Sequence, residues 1–181
     1  MEPDMNMNDL AEFSADPDLL RLAMRRFASG VTIVTAGTDE QQAGITVSAF
    51  SSISLDPPVV MVAINTASSA TPIILQAEHF AVHILSREQE ILSERFSQSL
   101  PWSEKVDGTT WRTGKSGAPI LEGASTIVDA MLIRSLVIGT HTVMFGHVID
   151  IAMQPDVPHT PLLYYDQNYR TLDRPPEDPT D

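Results

Sequence analysis

An antiparallel β-barrel carrying a few short helices is the fold class predicted by this sequence of 181 residues. Three observations lead there. Stretches rich in Val, Ile and Thr outnumber helix-patterned ones, roughly six or seven against three. Most follow one another through short polar turns, as hairpin strands do. Helices do not alternate with strands, which disfavours a doubly wound parallel sheet. A chain of this length fits one domain with one core. That domain is expected over 16–172, with an acidic, disordered lead at 1–15 and a Pro-rich acidic tail at 173–181. Aromatic residues make up only 6%, so the core must be built from Val, Ile, Leu, Ala and Met.

In chain order, Asp16 can cap a helix that Pro17 opens. Leu19, Leu20, Ala23, Met24 and Phe27 form its apolar stripe, expected to face the core, and Gly30 lies past its end. Val31–Ala36 reads as a strand, turned by Thr38–Gln42 into a second strand from Gly44 to Phe50. Alternation there puts Ile45, Val47 and Ala49 on one face and Thr46, Ser48 and Phe50 on the other. After Pro57-Pro58, the run Val59–Ile64 has no polar alternation, which predicts cover on both faces. Thr71 is the expected cap and Pro72 the first residue of a short helix, followed by the strand "HFAVHIL" from His79. Ser86 and Gln89 stand in capping-box spacing before a helix expected to turn Ile91, Leu92 and Phe96 inward. Ser125–Met153 has the length of a long hairpin turning near Gly139. Pro161–Leu172 closes with a strand pair about Asp166-Gln167.

Composition excludes several function classes. The net charge is −13, from 24 acidic against 11 basic residues, which opposes nucleic acid and anionic membrane as partners. An anionic small ligand would need a local cluster of donors. With no cysteine there is no disulfide, thiolate nucleophile, Fe–S cluster or Cys-zinc site. The start of the chain has no basic segment followed by an apolar one, and no run approaches the roughly 20 apolar residues of a spanning helix, so a soluble cytoplasmic protein is expected. There is no G-x-S-x-G elbow and no G-x-G-x-x-G, and "GKSG" at Gly114–Gly117 is too short for a phosphate loop. His79 and His83 lack the glutamate of a helical zinc pair and alternate as a strand does. With His141 and His147 they are expected to be separately placed side chains, so no metal is expected.

The stretch "GITVSAFSSIS", Gly44–Ser54, sets hydroxyls against apolar residues. Two readings stand: a solvated sheet face, or a wall of short donors for a ligand. Free N–H groups and the positive dipole end of the helix starting near Thr71 would suit a phosphate, with Ser68 and Ser69 beside them and Arg95 as a formal charge.

Six blocks then occur in order across about Leu19–Thr171: "RRFASGVTIVT", "GITVSAFSSISLDPPVVMVAIN", "FAVHILSREQEILSERF", "GAPILEGA", "GTHTVMFGHV" and "PLLYYDQNYR". In these the chain resembles the short-chain flavin reductase family. The resemblance implies the FMN-binding split β-barrel, and an NAD(P)H:flavin oxidoreductase passing hydride from NADH (or NADPH) to FMN (or FAD). It also implies a homodimer that supplies reduced flavin to a separate flavin-dependent monooxygenase. It places Gly44, Ile45, Thr46, Ser48 and Ala49 along the isoalloxazine, and Ala63, Ile64 and Asn65 at the ring and ribityl chain. Ser69, Ala70, Arg95 and Phe96 fall on the phosphate side, while Tyr164, Tyr165, Asp166 and Gln167 complete the cofactor-binding set. The family's Gly-Asp-His nicotinamide signature reads Gly139-Thr140-His141 here, leaving His141 as the candidate catalytic residue that positions the nicotinamide. Where relatives often carry Arg-Gly, this chain has Asp166-Gln167, and an acid there would repel a 2′-phosphate and favour NADH. Two other readings remain beside this one. One is a split-barrel flavoprotein that retains FMN and acts on its own organic substrate. The other is a non-enzymatic flavin- or haem-binding module.

Overall fold

The computed structural model describes residues 15–38, 40–154 and 160–172, so the expected disordered lead (Ala15 apart) and tail lie outside the described residues. In order the elements are α1 (Pro17–Met24), β1 (Ser29–Gly30), β2 (Thr32–Gly37), β3 (Gln42–Val47), β4 (Phe50–Leu55), β5 (Pro58–Asn65), α2 (Ala70–Ala77) and β6 (His79–Ile84). There follow α3 (Glu90–Ser97, entered through a 3₁₀ turn at Arg87–Gln89), α4 (Trp102–Lys105), β7 (Trp111–Thr113), β8 (Pro119–Leu121), β9 (Thr126–Ile138), β10 (His141–Met153), β11 (Leu163–Tyr165) and β12 (Asn168–Arg170).

Seven strands form one sheet in the order β3-β2-β6-β9-β10-β5-β4, with every adjacent pair antiparallel. The two end strands, β3 and β4, are joined through Ser48–Ala49, and the Ala63 N–H of β5 extends its pairing with β4 to Ala49 O at 3.0 Å. Inside this barrel Val34, Val62, Phe80 and Met144 pack around Ala70 and Ile74 of α2, which plugs it. A second cluster on the other side of β2 joins Val31, Ile33 and Leu85 to Phe96 of α3, with Trp102 and Trp111 against it. β2 is therefore buried along its whole length. The sheets β1-β11-β12 and β7-β8 flank the barrel.

Several expectations are corrected. α1 is capped by Asp16 as expected, its carboxylate accepting from Asp18 N, but none of its residues is buried; Phe27, just beyond it, is 67% exposed. Apolar periodicity defined a face without saying what would cover it. β5 alternates after all, with Val60, Val62 and Ile64 buried and Val59, Met61 and Ala63 half-buried, because only its inner face meets the chain's own core. The strand from Gly44 breaks at Ser48–Ala49, and Phe50 N bonds Ser48 O. That slip sends Phe50 to the barrel interior, opposite to the face expected of it. α2 starts two residues earlier than expected, with Ser69 in the cap position. Thr71 lies inside the first turn and donates to Asn65 O at 2.9 Å. The capping box of Ser86 and Gln89 is formed, yet Ile91 is 72% exposed; Leu92 and Phe96 turn inward.

Candidate functional site

β3 is an end strand of the large sheet, so one of its edges has no strand partner. Its faces divide cleanly: Ala43, Ile45 and Val47 point into the barrel, Gly44 and Thr46 toward α3. Gly44 is where the Phe96 ring comes closest, and a Cβ there would lie 2.5 Å from it. Thr46 Oγ1 donates to Ser93 O at 2.6 Å, fastening α3 to the strand. Ser93 Oγ in turn shares a 2.8 Å hydrogen bond with Tyr169 Oη of β12, and burial raises the Tyr169 pKa.

Between α3 and the β11–β12 hairpin opens a cleft of about 640 Å³ lined by Thr46, Ser48, Glu90, Glu94, Tyr164, Gln167 and Arg170, among others. A second cleft of about 410 Å³ shares Ser48, Tyr164 and Gln167 with it and continues past Ala49 and Asp166 to Met24, Arg25 and Phe27. Tyr165 stands in a third recess with Leu22, Arg25, Arg26 and Asp166. Asp166 and Gln167 both have positive φ, 49° and 61°, which turns the hairpin tightly and aims both side chains out of it. Arg25 Nε donates to Asp166 Oδ1 at 2.8 Å and Asp166 N to Arg25 O at 3.0 Å. The expected negative charge at Asp166 is thus balanced by Arg25.

On the neighbouring wall, His141 lies opposite Asn65 across β10 and β5, with Thr142 opposite Ile64 and Val143 opposite Ala63. His141 is exposed, and its Nδ1 is 3.0 Å from Thr140 Oγ1, the residue standing in the family signature's Asp position. Asn65 organises the entry to α2: its side chain accepts from Ala67 N at 2.9 Å and its carbonyl holds Thr71. Ala70 N bonds Ser68 Oγ at 3.3 Å, and the first turn of α2 carries no acidic residue.

The structure therefore brings Thr46, Ser48, Ala49, Tyr164, Asp166 and Gln167 together, and sets Ala63 beside Ala49 and Asn65 beside His141. It does not open every expected side chain to a ligand. Ile64, Ala70 and Phe96 are buried in apolar clusters, and Ile45 faces the interior. The Arg95 guanidinium is engaged by the carbonyls of Lys105 and Asp107 at the end of α4, while α3 lines the larger cleft with Glu90, Glu94 and Ser97. Sequence reasoning missed Ser93, Tyr169, Arg25 and Lys105, all of which buttress this wall from elements far along the chain; no local motif marks them. His83 is wholly buried, its Nδ1 3.0 Å from Ile33 O and its Nε2 accepting from Leu121 N at 3.0 Å. Among the described residues no group of three His, Cys, Asp or Glu could hold a metal ion.

Compared with known proteins, residues 24–173 match the flavin reductase like domain. This chain belongs to the flavin reductase-like family. The FMN reductase (NADH) RutF of Klebsiella variicola is 32% identical over 161 residues, covering 89% of this chain and 97% of that protein. The reductase subunit HsaB of a flavin-dependent monooxygenase from Mycobacterium tuberculosis is 31% identical, covering 87% of this chain and 83% of its own. Among solved structures, the NADH:FAD oxidoreductase SgcE6 of Streptomyces globisporus superposes with a TM-score of 0.80 at 28% identity, over 89% of this chain and 98% of that one. The barrel is of the split type that this family shares. Its residues also fit a flavin: the joined clefts have the size of ordinary small-molecule sites, and the rim offers aromatic, hydroxyl and amide groups.

Proposed function

We propose that this chain is an NADH-dependent flavin reductase that works as a homodimer and delivers reduced flavin to a separate flavin-dependent monooxygenase. The observation that carries the reading is the pair of open clefts meeting at Ser48, Tyr164 and Gln167, beside an edge strand of small residues. Bound flavin supplies the hydride-accepting ring; the protein's work is holding and orienting. Thr46, Ser48 and Ala49 form the wall for that ring, with the backbone of Ala63–Asn65 on the adjoining strand. The start of α2, at Ser69 and Ala70, takes the phosphate at the positive end of the helix dipole, where the first turn carries no acidic residue. His141, with Thr140 fixing its ring through Nδ1, positions the nicotinamide from the neighbouring wall. Arg95 acts at one remove, holding α4 in place rather than touching phosphate. Clefts open to solvent suit a flavin that must leave once reduced.

Support for the homodimer comes from apolar surface that stays exposed among the described residues. Ile133, Val137 and Ile138 of β9, Ile151 and Met153 of β10, and the stripe of α1 are all exposed. A cytoplasmic setting belongs to the same proposal, since NADH is an intracellular metabolite. Among the described residues no helix is long and apolar enough to cross a membrane. The deciding experiment is steady-state oxidation of NADH and of NADPH with FMN, FAD and riboflavin added separately. Turnover with NADH that rises and saturates with free FMN or FAD is expected. A purified chain that oxidises neither nucleotide under any flavin would end the proposal.

A further inference from the structure

Lys105 is a buried lysine, 7% exposed, that ends the four-residue helix α4. Its Nζ donates to Gly44 O at 2.8 Å and to Phe96 O at 3.2 Å, and stands 5.6 Å from the centre of the Phe96 ring. None of the ion pairs among the described residues includes it. Burial lowers the pKa of its ammonium. Two anchors bring it there: Lys105 N bonds Pro101 O within α4, and Arg95 of α3 reaches over to hold the carbonyls of Lys105 and Asp107.

This placement costs more than a scaffold requires. Tying two carbonyls together needs only a neutral donor, whereas an ammonium must shed its water and gains no carboxylate in return. A chain with 11 basic residues against 24 acidic ones spends one of them here. The place chosen is informative. The bond ends on Gly44, which shares with Thr46 the face of β3 turned toward α3, and Thr46 lines the larger cleft. The charge therefore sits on the α3 side of β3, bonded to Gly44, two residues along the same strand from Thr46.

We propose that Lys105 is a positioning residue for the wall assigned above to the flavin ring: its ammonium fixes the edge of β3 at Gly44 and biases the site toward reduced flavin, which gains negative charge on reduction. The inference rests on the flavin assignment and adds a preference between the two redox states. A positive charge in a poorly hydrated setting acts over several ångströms, so it can favour the more negative ligand without touching it.

The test is anaerobic calorimetric titration of the full chain with oxidised FMN and with dithionite-reduced FMN. Lys105→Met removes charge and donor, Lys105→Gln keeps a donor without charge, and Lys105→Arg keeps the charge. Both neutral variants are expected to weaken reduced FMN about tenfold more than oxidised FMN, while Lys105→Arg holds the wild-type ratio. If one neutral variant does not fold, the other carries the measurement. Equal losses for the two redox states would reduce Lys105 to a scaffold and overturn the proposal, as would a lost preference in Lys105→Arg. A wild type that binds neither state of FMN removes the flavin assignment itself, and this role with it.

Discussion

The two halves of β9 have similar composition and opposite fates. Ile127, Val128 and Ala130 in the first half are buried; Ile133, Leu136, Val137 and Ile138 in the second are exposed. What separates them is the number of neighbouring strands. Thr126–Met131 lies between β6 and β10, but β6 ends opposite Met131, and beyond it β9 has β10 alone. β10 shows the converse: His141–His147 is flanked by β9 and β5, while Ile149–Met153 has only β9 and turns Ile149, Ile151 and Met153 outward. Burial along β9 and β10 follows strand neighbours, not side-chain type. An apolar half-strand left with one neighbour and a bare face is an unfinished interface.

The largest effect is expected from breaking the bare half. Ile133→Asp with Val137→Asp places two carboxylates on the surface proposed to meet a second copy, where burying unpaired charge is prohibitive. Light scattering should give a dimer for the wild type and a monomer for the double variant, with the monomer still folded by circular dichroism. A double variant that remains dimeric would move the interface elsewhere. The covered half should respond in the opposite way. Phe80 of β6 is wholly buried, and its ring lies so close to Gly146 that a Cβ there would come within 2.5 Å. Phe80→Ala should cost about 3–5 kcal/mol of unfolding free energy without changing the mass. A cost below about 1 kcal/mol would mean that this core is not the one holding the fold.

The same distinction explains what could be read from the sequence. Features that depend on a few adjacent residues were legible: the turn at Gly139, the Asp166-Gln167 hairpin and the capping box of Ser86 and Gln89. Features that depend on a neighbour far along the chain were not. The stripe of α1 and the side chain of Ile91 have helical periodicity, but among the described residues nothing covers them. Phe50 faces the interior against its alternation because a two-residue break at Ser48–Ala49 resets the pattern. At the site, Thr46, Ser48, Ala49, Tyr164, Asp166 and Gln167 line the two joined clefts. Arg95 does not line either cleft, since its guanidinium serves α4, and Lys105 comes from a helix too short to leave a periodic signal.

Acid sharpens the comparison at its covered side. His83, paired with Ile127 in the inner half, is held neutral by burial, and its pKa falls from 6.5 to about 4 despite its bond to Ile33 O and the nearby Asp129 carboxylate. The unfolded state binds the proton first, so this group's contribution is complete above about pH 6.5 and is lost as pH falls toward 4. The lost stability amounts to about 3 kcal/mol. Urea unfolding at pH 7 and pH 5 should show a large part of it. Equal stability at the two values would show that His83 already carries its proton when folded.

The smallest effect is expected at the bare side, from the tie between α1 and the β11–β12 hairpin. Arg25 Nη2 and Nε both approach Asp166 Oδ1 at 2.8 Å, but the pair is substantially exposed, and such pairs contribute about 0–1 kcal/mol. Arg25→Ala should therefore leave urea unfolding within about 1 kcal/mol of wild type. Its effect belongs to position instead. Met24, Arg25 and Phe27 line the smaller cleft, and the Arg25–Asp166 pair is the side-chain link that fixes the helix end against the hairpin. The variant should raise the KM for NADH while changing kcat little, because a looser α1 weakens binding without touching the wall assigned to the ring. If stability falls by several kcal/mol, α1 is part of the folded core despite its exposure, and the division between covered and bare regions has been drawn in the wrong place.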